Sequence, residues 1–125
     1  MSTYAADYRQ KLTTAEQAVA KIANGSTIVH GLTTAEPPAL LAAIAERARA
    51  GELSDLKIYS FNPQKHVAAT VFAPDLCDCI QAYSWFVSGS DRPKVKVGLN
   101  YYVLAVQRHG RSAGLCTRRV PGAWR

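Results

Sequence analysis

From Thr13 onward the chain alternates between stretches whose apolar residues recur every three or four positions and short runs rich in β-branched residues. The first stretch opens at Thr13-Thr14-Ala15-Glu16, where Thr13 is placed to cap a helix and Glu16, three positions on, to reach back to it as a capping box. Ala15, Ala18, Val19 and Ile22 then form one apolar stripe, which ends at Asn24-Gly25, a pair tolerant of left-handed backbone. Ser26 to His30, centred on Thr27-Ile28-Val29, reads as a short strand. After Gly31, Pro37 and Pro38 suit a first helical turn, because the missing N–H has no intrahelical partner there. Leu40, Leu41, Ile44, Ala45 and Ala48 keep helical spacing, Arg47 and Arg49 sit where they complement the dipole, and Gly51 supplies the stop.

Leu56 to Ser60 is the next predicted strand, and Asn62 to Pro74 a loop with a short helix. Ile80 to Ser88, carrying Tyr83, Trp85 and Phe86, and Leu99 to Val103 follow as the third and fourth strands. Helix alternating with strand through short connections predicts an α/β fold with a mostly parallel sheet flanked by helices. Strand order cannot be read from this pattern.

The pattern stops at Leu104. From there to Arg125 the chain has five arginines, no acid and no apolar period. This changes the meaning of the net charge of +6, because residues 1–103 hold ten Lys or Arg against nine Asp or Glu. Without its last segment the chain is close to neutral, as metabolic domains are, and unlike a protein built to grip a phosphate backbone. Nearly half of the 125 residues are apolar, enough for the core of one domain. No apolar run is long enough to span a membrane, and Met1 to Lys11 has no apolar core of the secretory kind, so a cytoplasmic location is expected. Cys77, Cys79 and Cys116 form neither an even framework nor a complete zinc set, and reduced thiols are the expectation.

In an open α/β sheet, ligands collect beyond the carboxyl ends of the strands. The first such segment, His30-Gly31 through Pro38, offers a glycine that admits close backbone approach and a helix start with free N–H groups. Glu36 would oppose an anion there unless it faces away, and an ordinary strand-to-helix turn accounts for the segment equally well. The second, Val87-Ser88-Gly89-Ser90-Asp91-Arg92-Pro93, reads as a solvated turn, in which Arg92 is placed to pair with a carboxylate or phosphate or, equally, with Asp91 as a local ion pair. His30 and His66 have no acid or cysteine nearby at metal-ligand spacing, so both read as structural, and no metal site is expected. Ser88 and Ser90 lack the pattern of a nucleophile elbow.

The residues do resemble a known family. Tyr8-Arg9-Gln10-Lys11-Leu12-Thr13-Thr14-Ala15-Glu16-Gln17-Ala18-Val19, then Gly31 and Glu36-Pro37-Pro38-Ala39-Leu40, are similar in order and spacing to the opening of the acetyl-CoA hydrolase/transferase family. These class I coenzyme A transferases include 4-hydroxybutyrate, acetate and itaconate enzymes. Tyr83 to Val103 looks like the same domain continuing, so the resemblance covers about residues 4–103. It implies an incomplete amino-terminal transferase domain over 1–103, followed by an aberrant basic tail over 104–125. Family members continue differently after this tyrosine-rich strand, and an acid-free, arginine-rich tail is what misread GC-rich coding sequence gives. Disorder or a frameshift from Leu104 is therefore expected.

The resemblance further implies ping-pong transfer of coenzyme A through a glutamyl thioester, with an acyl-CoA and a small carboxylate as substrates and no separate cofactor. The family's nucleophilic glutamate lies further along than this chain reaches. Glu16, Glu36, Glu46 and Glu52 do not match it, and the expected catalytic set is empty. Gly31 and Glu36 are the candidate substrate-binding residues. A full-length protein is expected to form homo-oligomers, with neither membrane nor nucleic acid as partner. The alternative is a small non-catalytic α/β module that uses its basic tail on nucleic acid, which would bind with steep salt dependence.

Overall fold

A computed structural model describes residues 3–89, 91–96, 101–106 and 115–119, of which residue 3 and the last two segments are described as backbone only. Helices α1 (Thr3–Lys11) and α2 (Ala15–Val19) precede strand β1 (Thr27–Val29). They are followed by α3 (Pro38–Arg49), β2 (Leu56–Ser60), α4 (Lys65–Ala69), β3 (Ile80–Ser84), α5 (Arg92–Lys96), β4 (Tyr101–Val106) and β5 (Leu115–Arg119). The five strands form one sheet in the order β1-β2-β3-β4-β5. β1 to β4 are mutually parallel and β5 pairs antiparallel with β4. The α/β class and the mostly parallel sheet flanked by helices are thus as the alternating pattern predicts.

A sequential order of parallel strands has a consequence for packing. Right-handed crossovers that always step the same way bring their connecting segments to the same side of the sheet. The core agrees: Ile58 and Leu56 of β2 and Ile80 and Ala82 of β3 pack with Leu41, Ile44, Ala45 and Ala48 of α3 and with Val67 of α4. Val71, Phe72 and Leu76 from the segment between α4 and β3 close this layer, and Ile28 of β1 packs at its margin.

Local chemistry sets the element ends, with some departures from the sequence pattern. Thr14, not Thr13, caps α2: its Oγ1 accepts from the Gln17 N–H at 3.2 Å, and Gln17 Oε1 accepts in return from the Thr14 N–H at 3.3 Å. Because the helix begins at Ala15, the reciprocal position falls on Gln17 and leaves Glu16 beside the cap, where its own backbone N–H and the Thr14 hydroxyl hold its carboxyl below the ordinary value. Helix α2 ends at Val19, earlier than its stripe suggests, and Arg47 of α3 donates to the freed carbonyls of Val19 and Ile22 at 2.6 and 3.3 Å. Gly51, at φ +76°, stops α3 as expected. Strand β3 closes at Ser84, four residues short of the predicted end, because Ser84 Oγ turns back to bond the Phe86 carbonyl at 2.8 Å.

Two helices were not legible in the pattern. α1 carries Tyr4 and Tyr8 along one side at 83 and 65% exposure, so it shows no buried stripe. α5 is a single short turn of helix. β4 runs through the predicted boundary at Val103, and β5 lies inside the segment 104–125; the rest of that segment is outside the described residues. Among the described residues no helix is long and apolar enough to cross a membrane.

Candidate site at the carboxyl edge of the sheet

The carboxyl end of β1 leads into a tight turn. Gly31 is required there by contact rather than by dihedral angle: a Cβ at this position would lie 2.4 Å from the Ala35 carbonyl oxygen and 2.8 Å from the Ala35 Cβ. The chain folds back on Gly31 through a 3-10 turn over Thr33–Ala35, in which Thr33 takes φ +49°. A β-branched residue in the left-handed region is strained, and such strain persists only where the surroundings over-determine it. His30 Nδ1 lies 3.0 Å from the Gly31 carbonyl, which makes it the donor of that pair and fixes the ring orientation.

Glu36 ends this turn and points inward. Its side chain is fully buried, with Oε2 at 3.1 Å from His66 Nε2 and Oε1 accepting from the Gln64 N–H at 3.3 Å. Gln64 and His66 belong to the start of α4, just beyond the carboxyl end of β2, so one carboxylate joins the exits of two neighbouring strands. Glu36 would oppose an anion at this edge only if it faced it; the carboxylate is turned away from solvent.

Polar groups continue across the exits of β2 and β3. Ser88 Oγ donates to Asp91 Oδ2, and the Ser88 N–H donates to the same oxygen at 3.3 Å. Asp91 is completely buried, so it forms this turn-closing contact and not the exposed pair with Arg92 that the sequence suggests. Lys94 of α5 reaches back to donate to the carbonyls of Ala68 and Phe72, and partial burial pushes its ammonium below the ordinary lysine value. Between these loops lies a cleft of about 430 Å³ formed by 62–65 with Ser88 and Gly89. An apolar cleft of about 330 Å³ lies on the other side of the edge, where His30, Gly31 and Ala35 meet α2 and α3.

Two features set this edge apart. Among the described residues, the buried side-chain polar atoms without a hydrogen bond of good geometry are on His30, Glu36, Ser60, His66 and Asp91, all at or just after strand exits. Among the described side chains outside α1 and the Leu12 that follows it, the large apolar ones left exposed are Val29, Leu32, Phe61 and Phe86, again at the exits of β1, β2 and β3. Phe61 packs edge-on against Phe86 at 4.9 Å and tilted against Trp85 at 6.0 Å. No group of three or more His, Cys, Asp or Glu among the described residues could hold a metal ion.

Of the residues the sequence singles out, Gly31 and Glu36 both sit in this edge. His66, read as an isolated structural histidine, is brought to Glu36 by the pairing of β1 with β2. Ser60 and the Phe61–Trp85–Phe86 group carried no motif; their position at strand exits was the only cue.

Comparison with known proteins gives this edge a context. No family model matches the chain. A succinyl-CoA:cyclohexane-1-carboxylate CoA transferase of Geobacter metallireducens is 30% identical over 96 residues, which is 77% of this chain and 21% of that protein. The crystal structure of RipA from Yersinia pestis superposes with a TM-score of 0.75 at 39% identity, over 80% of this chain and 24% of RipA. A single-substitution variant of RipA gives 0.77 at 38% identity, over 84% and 26%. The chain thus spans about a fifth of the curated relative and about a quarter of the structural ones. The chain is thus similar to a stretch of a CoA transferase and to a stretch of RipA.

Proposed function

We propose that this chain is an amino-terminal part of an acyl-CoA:carboxylate CoA-transferase, and that the carboxyl edge of its sheet forms one wall of the transfer cleft. The observation that carries the reading is the 30% identity to the Geobacter CoA transferase over 96 residues, a stretch that takes in both Gly31 and Glu36 wherever it begins within 125 residues. The exposed apolar side chains at three successive strand exits support it, since a parallel sheet with an uncovered apolar rim calls for further chain against it.

In this reading the substrates are an acyl-CoA and a small carboxylate such as acetate or 4-hydroxybutyrate, coenzyme A being substrate and not a resident cofactor. A glutamate carboxylate supplied by chain beyond this segment attacks the thioester carbonyl and expels CoA thiolate, leaving a mixed anhydride. The thiolate then attacks the glutamyl carbonyl, releasing the first carboxylate and forming the glutamyl thioester. The second acid reverses these steps. Gly31 keeps the first strand exit compact, and Glu36 shapes the wall from behind. The complete protein would be a cytoplasmic homo-oligomer.

The test is a transfer assay with acetyl-CoA and a panel of acetate, butyrate, 4-hydroxybutyrate and itaconate. The 125-residue chain is expected to be inactive. The same segment joined to a transferase carboxyl-terminal portion should exchange CoA and be trapped by hydroxylamine. Turnover by the short chain alone would sink the placement of the nucleophile, and a silent joined protein would sink the transferase reading.

A further inference from the structure

We infer that Glu36 and His66 form a clamp that locks the exit loop of β1 to the exit loop of β2, so that Glu36 is a positioning residue and not a ligand of substrate. The first ground is access. The Glu36 side chain is 0% exposed, whereas His66 keeps 36% of its side chain open, so a ligand at this edge can meet the outer face of the imidazole but not the carboxylate.

The second ground is the geometry of the pair. His66 Nε2 lies 3.1 Å from Oε2 but off the line of a hydrogen bond, so the contact holds only while the backbone of α4 keeps the ring where it is. The other oxygen takes the Gln64 N–H, one of the first backbone donors of α4, which has no partner within its helix. One side chain from the first crossover therefore holds both the backbone and a side chain of the second.

The third ground is what the clamp holds. The segment it anchors contains the close Gly31–Ala35 approach and the left-handed Thr33, a path a free loop would relax from. A buried carboxylate is a poor device for stability alone, because its desolvation offsets most of what it gains. Fixing the spacing of two strand exits is a use that explains the arrangement. The clamp does not depend on the CoA-transferase reading; only its consequence for transfer does.

Nuclear magnetic resonance of the whole chain, labelled with ¹⁵N and ¹³C-histidine, tests the clamp without coenzyme A, so that its failure and the failure of the transferase reading stay distinguishable. In Glu36→Leu the Gln64 amide should exchange at least about tenfold faster and the His66 ring signals should shift, with the amides of Ile58 and Ala82 unchanged. In Glu36→Gln, which keeps an oxygen to accept from the Gln64 N–H, Gln64 exchange should stay within about twofold of the parent. Gln64 exchange within about twofold of the parent in Glu36→Leu, or loss of Gln64 protection in Glu36→Gln, would overturn the clamp. The Glu36→Gln measurement stands alone if Glu36→Leu does not fold.

Discussion

The layer of helices over the sheet and the carboxyl edge of the same sheet follow opposite rules. In α3, Leu41, Ile44, Ala45 and Ala48 are exposed by a few per cent or less, and a nearby polar group such as Arg47 meets its partners at good distances. At the strand exits the reverse holds: Val29, Leu32, Phe61 and Phe86 are exposed, whereas Glu36, Ser60, Ser84 and Asp91 are buried. A left-handed Thr33 and a glycine pressed against a carbonyl add backbone strain to the same edge. Stability alone would not distribute residues this way. Such local violations, gathered at one place and supported by a regular core, are how a binding edge differs from the scaffold beneath it.

The sharpest way to break this comparison is to show that both regions respond alike. Leu41→Ala empties a site only 1% exposed in the helix layer and should cost about 2–5 kcal/mol, measured by denaturant unfolding. Gly31→Ala forces the exit turn of β1 to give way and should cost less, about 1–3 kcal/mol, with altered amide exchange confined to residues near Ala35. If it cost as much as Leu41→Ala and loosened the whole chain, the edge would be part of the core and the contrast would fail.

Thr33→Gly should act with the opposite sign. Relief of the left-handed strain is expected to raise stability by about 1 kcal/mol or less, since glycine also loses more entropy on folding. A destabilised variant would show that Thr33 is held by favourable contacts and is not strained.

The smallest effect belongs to the opposite, amino end of the sheet, where Arg49 bonds Asp75 at 2.8 Å and holds its carboxyl below the usual aspartate value. Because the folded value is depressed, this contribution is complete above the ordinary carboxylate range and is lost as pH falls through the depressed value. Both groups are substantially exposed, so the loss should be slight and weaker still at high salt. Titration of Asp75 by NMR checks it: Arg49→Gln should return the carboxyl toward its ordinary value, and no change would remove Arg49 as the cause.

Much of the scaffold was legible because its determinants are short-range. The stripe Leu40, Leu41, Ile44, Ala45, Ala48, with prolines before it and Gly51 after it, specifies α3 nearly to the residue, and Leu56 to Ser60 is the strand observed. The box at the start of α2 shows how far such reasoning reaches: two adjacent threonines allow two registers, and the helix beginning at Ala15 selects Thr14 with Gln17. α1 escaped detection because its Tyr4 and Tyr8 are exposed and no buried face marks it.

By itself, then, the sequence determined the α/β alternation, the principal helix and strands, and the presence of a glycine and a glutamate near the first strand exit. Only the tertiary structure decided that β1 lies beside β2, that Gly31 meets Ala35 and that Glu36 is buried against His66. The physical reason is range. Capping and periodicity act within a few residues, whereas strand order and register come from the packing of the whole sheet, and the meeting of Glu36 with His66 exists only once that register is set.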